Sequence, residues 1–234
     1  MKTKTATRLS AVLLSAIPGA QAGEYDYLFS TGFQNSGNIP DGSLSGWSDT
    51  ETLSGITGDI TSVSVTLNVT GGYNGDLYAY LNYNGNTVVL LNRVGVGTGT
   101  DPTYSFGYSG AGFNNLVLQD GAINGDIHAY GGGVGTGTYS PDGRNVSPLS
   151  SPSVLYGTSR ATLDGTFGGM SPNSGWTLFI ADVSAGGGQS QLTSWGLEIN
   201  VPTQVPEPGT LALGGVALAG FIARQLWGRQ RSRA

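Results

Sequence analysis

Between residues 24 and 201 the chain alternates apolar and polar positions in short runs. In residues 60–69, Val63, Val65, Leu67 and Val69 fall on one face and Ser62, Ser64, Thr66 and Asn68 on the other. A period of two marks a strand with one buried face. Residues 71–75 read as a turn. In residues 76–82, Leu77, Ala79 and Leu81 then oppose Tyr78 and Tyr80. Asn84-Gly85-Asn86 is a hairpin signal, because Asn-Gly adopts the left-handed conformations of a tight turn. Residues 87–91 form a continuous apolar strand. Residues 176–181 and 191–201 form a late strand pair across Gly186-Gly187-Gly188. Residues 25–29 are apolar enough for an edge strand. Residues 95–103 and 131–153, rich in Gly, Ser, Thr and Pro, read as loops. No run of helical period stands out in this stretch. The expected fold is all-β, a two-sheet sandwich.

The ends follow a different pattern. Residues 1–22 join a basic start (Lys2, Lys4, Arg8) to a short apolar stretch, Pro18 and the small-residue site Ala20-Gln21-Ala22. That is a secretory signal with its cut after Ala22. At the other end Val205-Pro206-Glu207-Pro208-Gly209 precedes an apolar run and then Arg224, Arg229, Arg231 and Arg233. Residues 209–227 as a helix would reach roughly 28 Å, enough for a membrane core, with the arginines on the cytoplasmic side. The domain reading is therefore 1–22 signal peptide, 23–201 sandwich and 202–234 sorting tail.

Charge sharpens the picture. Between Gly23 and Val205 lie three basic residues (Arg93, Arg144, Arg160) against fourteen of the fifteen acidic ones, a net of −11. A module this acidic does not bind a phosphate backbone, so nucleic acid is excluded as a partner. There is no cysteine, which excludes thiol chemistry, and 40 glycines point to many tight turns. With one histidine, His128, and no G-x-S-x-G elbow, neither a Ser-His-Asp triad nor catalytic zinc is supported. We expect no catalytic residues. The bland assignment of His128 is a loop or strand-end side chain. Acids are scattered singly on turns, where Asp serves turn geometry. Calcium is the one credible cofactor, since it accepts loop carboxylates and carbonyls with loose geometry. Its candidate ligands are Asp76, Asp120 and Asp182, with Asp126 and Asp164 also on loops or strand ends. Trp176 and Trp195 read as core, and Tyr78, Tyr80 and Tyr83 as a candidate sugar-stacking face.

Two resemblances follow from these motifs. Pro206-Glu207-Pro208, the Leu/Ala/Gly run and the arginine cluster resemble the PEP-CTERM sorting signal. That resemblance implies a Gram-negative, exopolysaccharide-making cell, signal peptidase and exosortase as processing partners, and delivery to the envelope, surface or matrix. The ordered set Ile39-Pro40-Asp41, residues 60–69, Gly75-Asp76-Leu77, a loop around Val117-Leu118-Gln119-Asp120, Leu163-Asp164-Gly165-Thr166-Phe167, Gly175-Trp176-Thr177-Leu178, Asp182 and Trp195-Gly196-Leu197 resembles the P/Homo B domain of proprotein convertases. It implies a jelly-roll sandwich of about eight strands and Ca²⁺ in such loops. No subtilase domain precedes it here, and Pro141-Asp142-Gly143-Arg144 departs from the pattern. The leading expectation is a non-catalytic exported module that binds polysaccharide or protein. The alternatives are an accessory of a separate subtilisin-like serine endopeptidase and a carbohydrate-active enzyme.

Overall fold

The computed structural model describes residues 22–98 and 105–202. The signal segment, including Ala20, and the tail from residue 203, with Pro206, Glu207, Pro208 and the expected membrane helix, lie outside the described residues.

Nine strands form two sheets: β1 (Ala22–Phe29), β2 (Ser43–Thr52), β3 (Ser62–Thr70), β4 (Leu77–Tyr83), β5 (Asn86–Asn92), β6 (Phe113–Leu118), β7 (Gly135–Tyr139), β8 (Gly175–Asp182) and β9 (Gln191–Pro202). The sheet orders are β1-β9-β3-β6-β7 and β2-β8-β4-β5. The antiparallel pairs β1·β9, β2·β8, β3·β6 and β4·β5 nest inside one another. This nesting is the jelly-roll arrangement. The ninth strand, β7, is an addition that runs parallel to β6 at the sheet edge. It falls within the residues expected to be a loop.

The alternation reads directly as burial. Val63, Val65, Leu67 and Val69 on β3 and Leu77, Ala79 and Leu81 on β4 are buried between the layers. β8 and β9 add Leu178, Ile180, Leu197 and Ile199. Trp176 and Trp195 are fully buried, as expected of core residues. Tyr83 differs from its expected place. It continues the inward parity of β4 and is fully buried. Its ring stacks on Trp176 at 4.0 Å between centroids, with Phe167 edge-on at 6.3 Å. Its hydroxyl donates to the Ser171 carbonyl. The β4–β5 hairpin turns on Asn84 (φ 49°) and Gly85 (φ 79°), the left-handed pair that this turn requires.

Two short helices also occur, α1 (Pro152–Gly157) and α2 (Leu163–Phe167). They are too brief to show a helical period. α2 puts Leu163 and Phe167 into the core.

One close approach carries a prediction. Gly37 has φ 78°, and a Cβ there would lie 2.1 Å from the Leu192 carbonyl oxygen. Gly37→Ala meets both backbone strain and a clash with main chain. We expect a loss of about 2 kcal/mol in urea unfolding.

Candidate functional site

The first cluster sits where β4 begins and β8 ends. Leu77 pairs with Asp182 across the two strands, and the Val183 amide donates to the Asp76 carbonyl at 2.9 Å. Asp76 and Asp182 are thereby neighbours, and Asp41 joins them by donation from the Gly186 amide to its carboxylate at 3.2 Å. Asp182 is fully buried. Its Oδ2 accepts from Ser190 Oγ at 3.1 Å, while Oδ1 has no partner of good geometry. Burial raises its pKa to about 6. The Ser190 hydroxyl and the Ser184 amide pull it back in part, and the charges of Asp76 and Asp41 push it up. Burial also raises Asp76, with Arg93 pulling down, Asp41 pushing up and the Ser184 hydroxyl pulling down. Three carboxyls thus share one end of the sandwich with one nearby guanidinium. Beside Asp76 opens a cavity of about 290 Å³, walled by Tyr73, Phe106, Tyr108 and Ser184 among others.

Of the three expected calcium ligands, the structure brings together Asp76 and Asp182. Asp120 serves elsewhere. Its carboxylate accepts from the amides of Leu163 at 3.1 Å and Asp164 at 2.7 Å, anchoring the start of α2. Asp164 in turn accepts from the Val63 amide at 2.9 Å. Asp41 is the addition. The Ile39-Pro40-Asp41 run held it, but 141 residues separate it from Asp182 and no spacing links them. Among the described residues, one acidic trio has oxygens all within 4.8 Å of one another. It is Glu24, Asp26 and Glu198 on the outer face of β1 and β9. Glu198 there is already engaged by Ser64 and Asn200.

The second cluster is a buried ion network on the outer side of β5. His128 Nδ1 lies 2.6 Å from Asp142 Oδ2, and Nε2 lies 2.8 Å from the Val96 carbonyl oxygen. Both contacts are acceptors, so both nitrogens donate only in the imidazolium form. Arg144 reaches Asp126 at 2.7 Å and the second oxygen of Asp142 at 3.3 Å. Arg160 reaches Asp126 at 3.4 Å and donates to the Asp142 carbonyl at 2.8 Å. Burial alone would lower the pKa of Arg144. The hydrogen bond to Asp126, the charges of Asp142 and Asp126, and the hydrogen bond to Asp142 more than offset this, and the net shift is upward. The network straps residues 142–145 along the edge of β5. The amides of Asp142 and Gly143 donate to Leu90 and Val89, and Asn145 accepts from the Val89 amide. An otherwise open sheet edge is covered in this way. His128 is therefore not a loose loop side chain. It and Asp142 are fully buried.

The third place is the outer face of the four-stranded sheet. Tyr80 and Phe179 stack at 4.7 Å with 14° between planes, and Tyr78 meets them edge-on at 6.0 and 6.4 Å. The ring faces are directed at one another. Tyr83 is in the core and takes no part.

The sequence beyond the sandwich matches a known motif. Residues 204–229 are a PEP-CTERM protein-sorting motif. The chain is therefore an exported protein sorted by an exosortase, held at the membrane of a Gram-negative cell until it is processed. Among the described residues no helix is long and apolar enough to cross a membrane. No curated protein matches the chain. Two solved structures bear a weak likeness to it: the serine protease of Aeromonas sobria in complex with the chaperone ORF2, and that protease alone. They are 13% and 12% identical, cover 78% and 80% of this chain, and have TM-scores of 0.43 and 0.42. The chain spans 27% and 28% of those two chains.

Proposed function

We propose that the mature protein is a non-catalytic surface or matrix module of the P/Homo B kind, displayed through exosortase processing to bind polysaccharide or protein. The observation that carries the non-catalytic reading is the setting of His128. Its two nitrogens are taken by Asp142 and the Val96 carbonyl, so neither faces a serine or a substrate. A general base must reach the proton that it abstracts. The nested strand pairing supports the P/Homo B resemblance. The test is a pull-down of the purified mature module on cell-surface polysaccharide and on envelope protein, run beside hydrolysis assays on both. Binding without turnover is expected. Turnover abolished by a single carboxylate substitution overturns the reading. Co-purification with a subtilisin-like protease moves it to an accessory role.

A calcium site is the second reading, favoured by the partnerless Oδ1 of Asp182. The oxygens of Asp182, Asp76 and Asp41 do not all lie within 4.8 Å of one another, so Asp182 and Asp76 would hold the ion with oxygens from their own loops, and a divalent cation there would relieve the repulsion between the two. The melting midpoint should rise when Ca²⁺ replaces a chelator, and Asp182→Asn should abolish the rise. A midpoint that is the same in both buffers removes the calcium site.

A further inference from the structure

The folded part of the chain ends very close to its sorting motif. Pro202 is the last residue of β9 and pairs with Ala22, the first residue of β1. The motif opens at residue 204, and Pro206 stands four residues beyond Pro202. Four residues reach at most about 14 Å even when fully extended. The strand cannot readily yield more length. Val201 is 1% exposed and Ile199 is fully buried, so peeling β9 back would draw both from the core. Gly58 lies against this end, where a Cβ would be 3.3 Å from the Pro202 carbonyl oxygen.

Two loops lie beside the exit, and a third turn shares that end of the sandwich. Residues 53–61 include Gly58 and connect to residues 168–174 through the Ile60 amide on the Met170 carbonyl and the Ile56 amide on Asn173. The turn at residues 84–86 joins them through the Tyr83 hydroxyl on Ser171. On a module with a net of −11, these three loops carry one charged side chain, Asp59. Ser54, Thr57, Asn84 and Asn173 present short uncharged side chains to solvent.

We infer that this end of the sandwich is a contact surface for the exosortase. An enzyme that grips Pro206-Glu207-Pro208 of the folded chain cannot avoid the loops beside Pro202. Their short neutral side chains let a second surface approach without stranding charge. The folded module thus takes part in its own sorting. The inference rests on the reading that the motif is processed by that enzyme.

The test uses the full chain in a host that carries its exosortase, with loss of the tail followed over time by gel mobility. Thr57→Arg and Ser54→Arg, both exposed and outside the core, should slow processing several-fold with the melting midpoint unchanged. Leu44→Arg is the control; it sits at the start of β2, beside the Ser43–Asp182 pair at the opposite end. It should process like the wild type. A long Gly-Ser insert after Pro202 should erase the difference between Thr57→Arg and wild type. Equal processing by all variants at native spacing overturns the inference, as does faster processing by the insert in the otherwise wild-type chain. If Glu207→Ala is still processed, the sorting reading itself fails. If it blocks processing while Thr57→Arg does nothing, only the contact surface fails.

Discussion

Asp142→Asn lowers the stability of the sandwich by about 3–5 kcal/mol at neutral pH, measured as a shift of the urea midpoint at unchanged slope. Asp142 is fully buried and serves two neighbours at once, with His128 Nδ1 at 2.6 Å from one oxygen and the Arg144 guanidinium at 3.3 Å from the other. The asparagine fits the same space but carries no charge. Its amide keeps one acceptor oxygen and turns a donor towards the other partner. Arg144, 5% exposed, is then left with Asp126 as its remaining carboxylate. Removing one member of a buried ion pair costs more than never having had the pair, because the stranded charge stays desolvated. The double variant Asp142→Asn with His128→Gln should therefore lose less than the sum of the two single variants. Additive losses would mean that the histidine and the carboxylate are not coupled. The consequence for the fold is local first. Residues 142–145 release the edge of β5, and an unpaired edge invites pairing with a second chain. The variant should aggregate more readily at sub-denaturing urea.

How much of this was legible in the chain depends on which way each strand points its charges. β3, β4 and, from Trp195 onwards, β9 alternate cleanly, and their inward sets match the buried residues almost position by position. β2 does not. Its inward positions are Trp47, Asp49 and Glu51, facing Ile180, Leu178 and Trp176 on β8. The strand buries one large ring and turns two acids inward. The Trp195 indole donates to Asp49 at 2.8 Å. Inward charge on an edge strand discourages edge-to-edge pairing, and it also erases the apolar alternation that would reveal the strand. β6 hides for another reason. Asn115 has φ 47°, and the register shifts between Phe113 and Leu116, so its buried residues fall out of period. β7 is Gly-Thr-Gly-Thr-Tyr, with too little apolar surface to show. The ion network was invisible because its members meet only after folding. The one hint was that Arg144, one of the module's three cations, closes the Pro141-Asp142-Gly143-Arg144 run that departs from the P/Homo B pattern, with Arg160 sixteen residues on. In so acidic a module an arginine has many surface carboxylates available, and these two are held by a pair of buried or half-buried ones.

The acidic end predicts a pH response of definite sign. Asp182 titrates near 3.8 in the unfolded chain and near 6 in the folded one, chiefly because burial penalises its charge. Between those values the unfolded chain has lost the proton and the folded chain still holds it. The unfolded state then binds fewer protons, so stability falls as pH rises. The contribution is fully present below pH 3.8 and lost above about 6, a change of about two pK units or on the order of 3 kcal/mol. Asp76 and Asp164, also raised mainly by burial, act in the same direction. In a chelating buffer the urea midpoint should therefore drop between pH 4 and about 6. Asp182→Asn should flatten most of that drop and be more stable than the wild type at pH 7. The asparagine keeps the shape and needs no proton to stay neutral. A wild-type midpoint that climbs through this range would show that the carboxylate is ionised and satisfied where it stands.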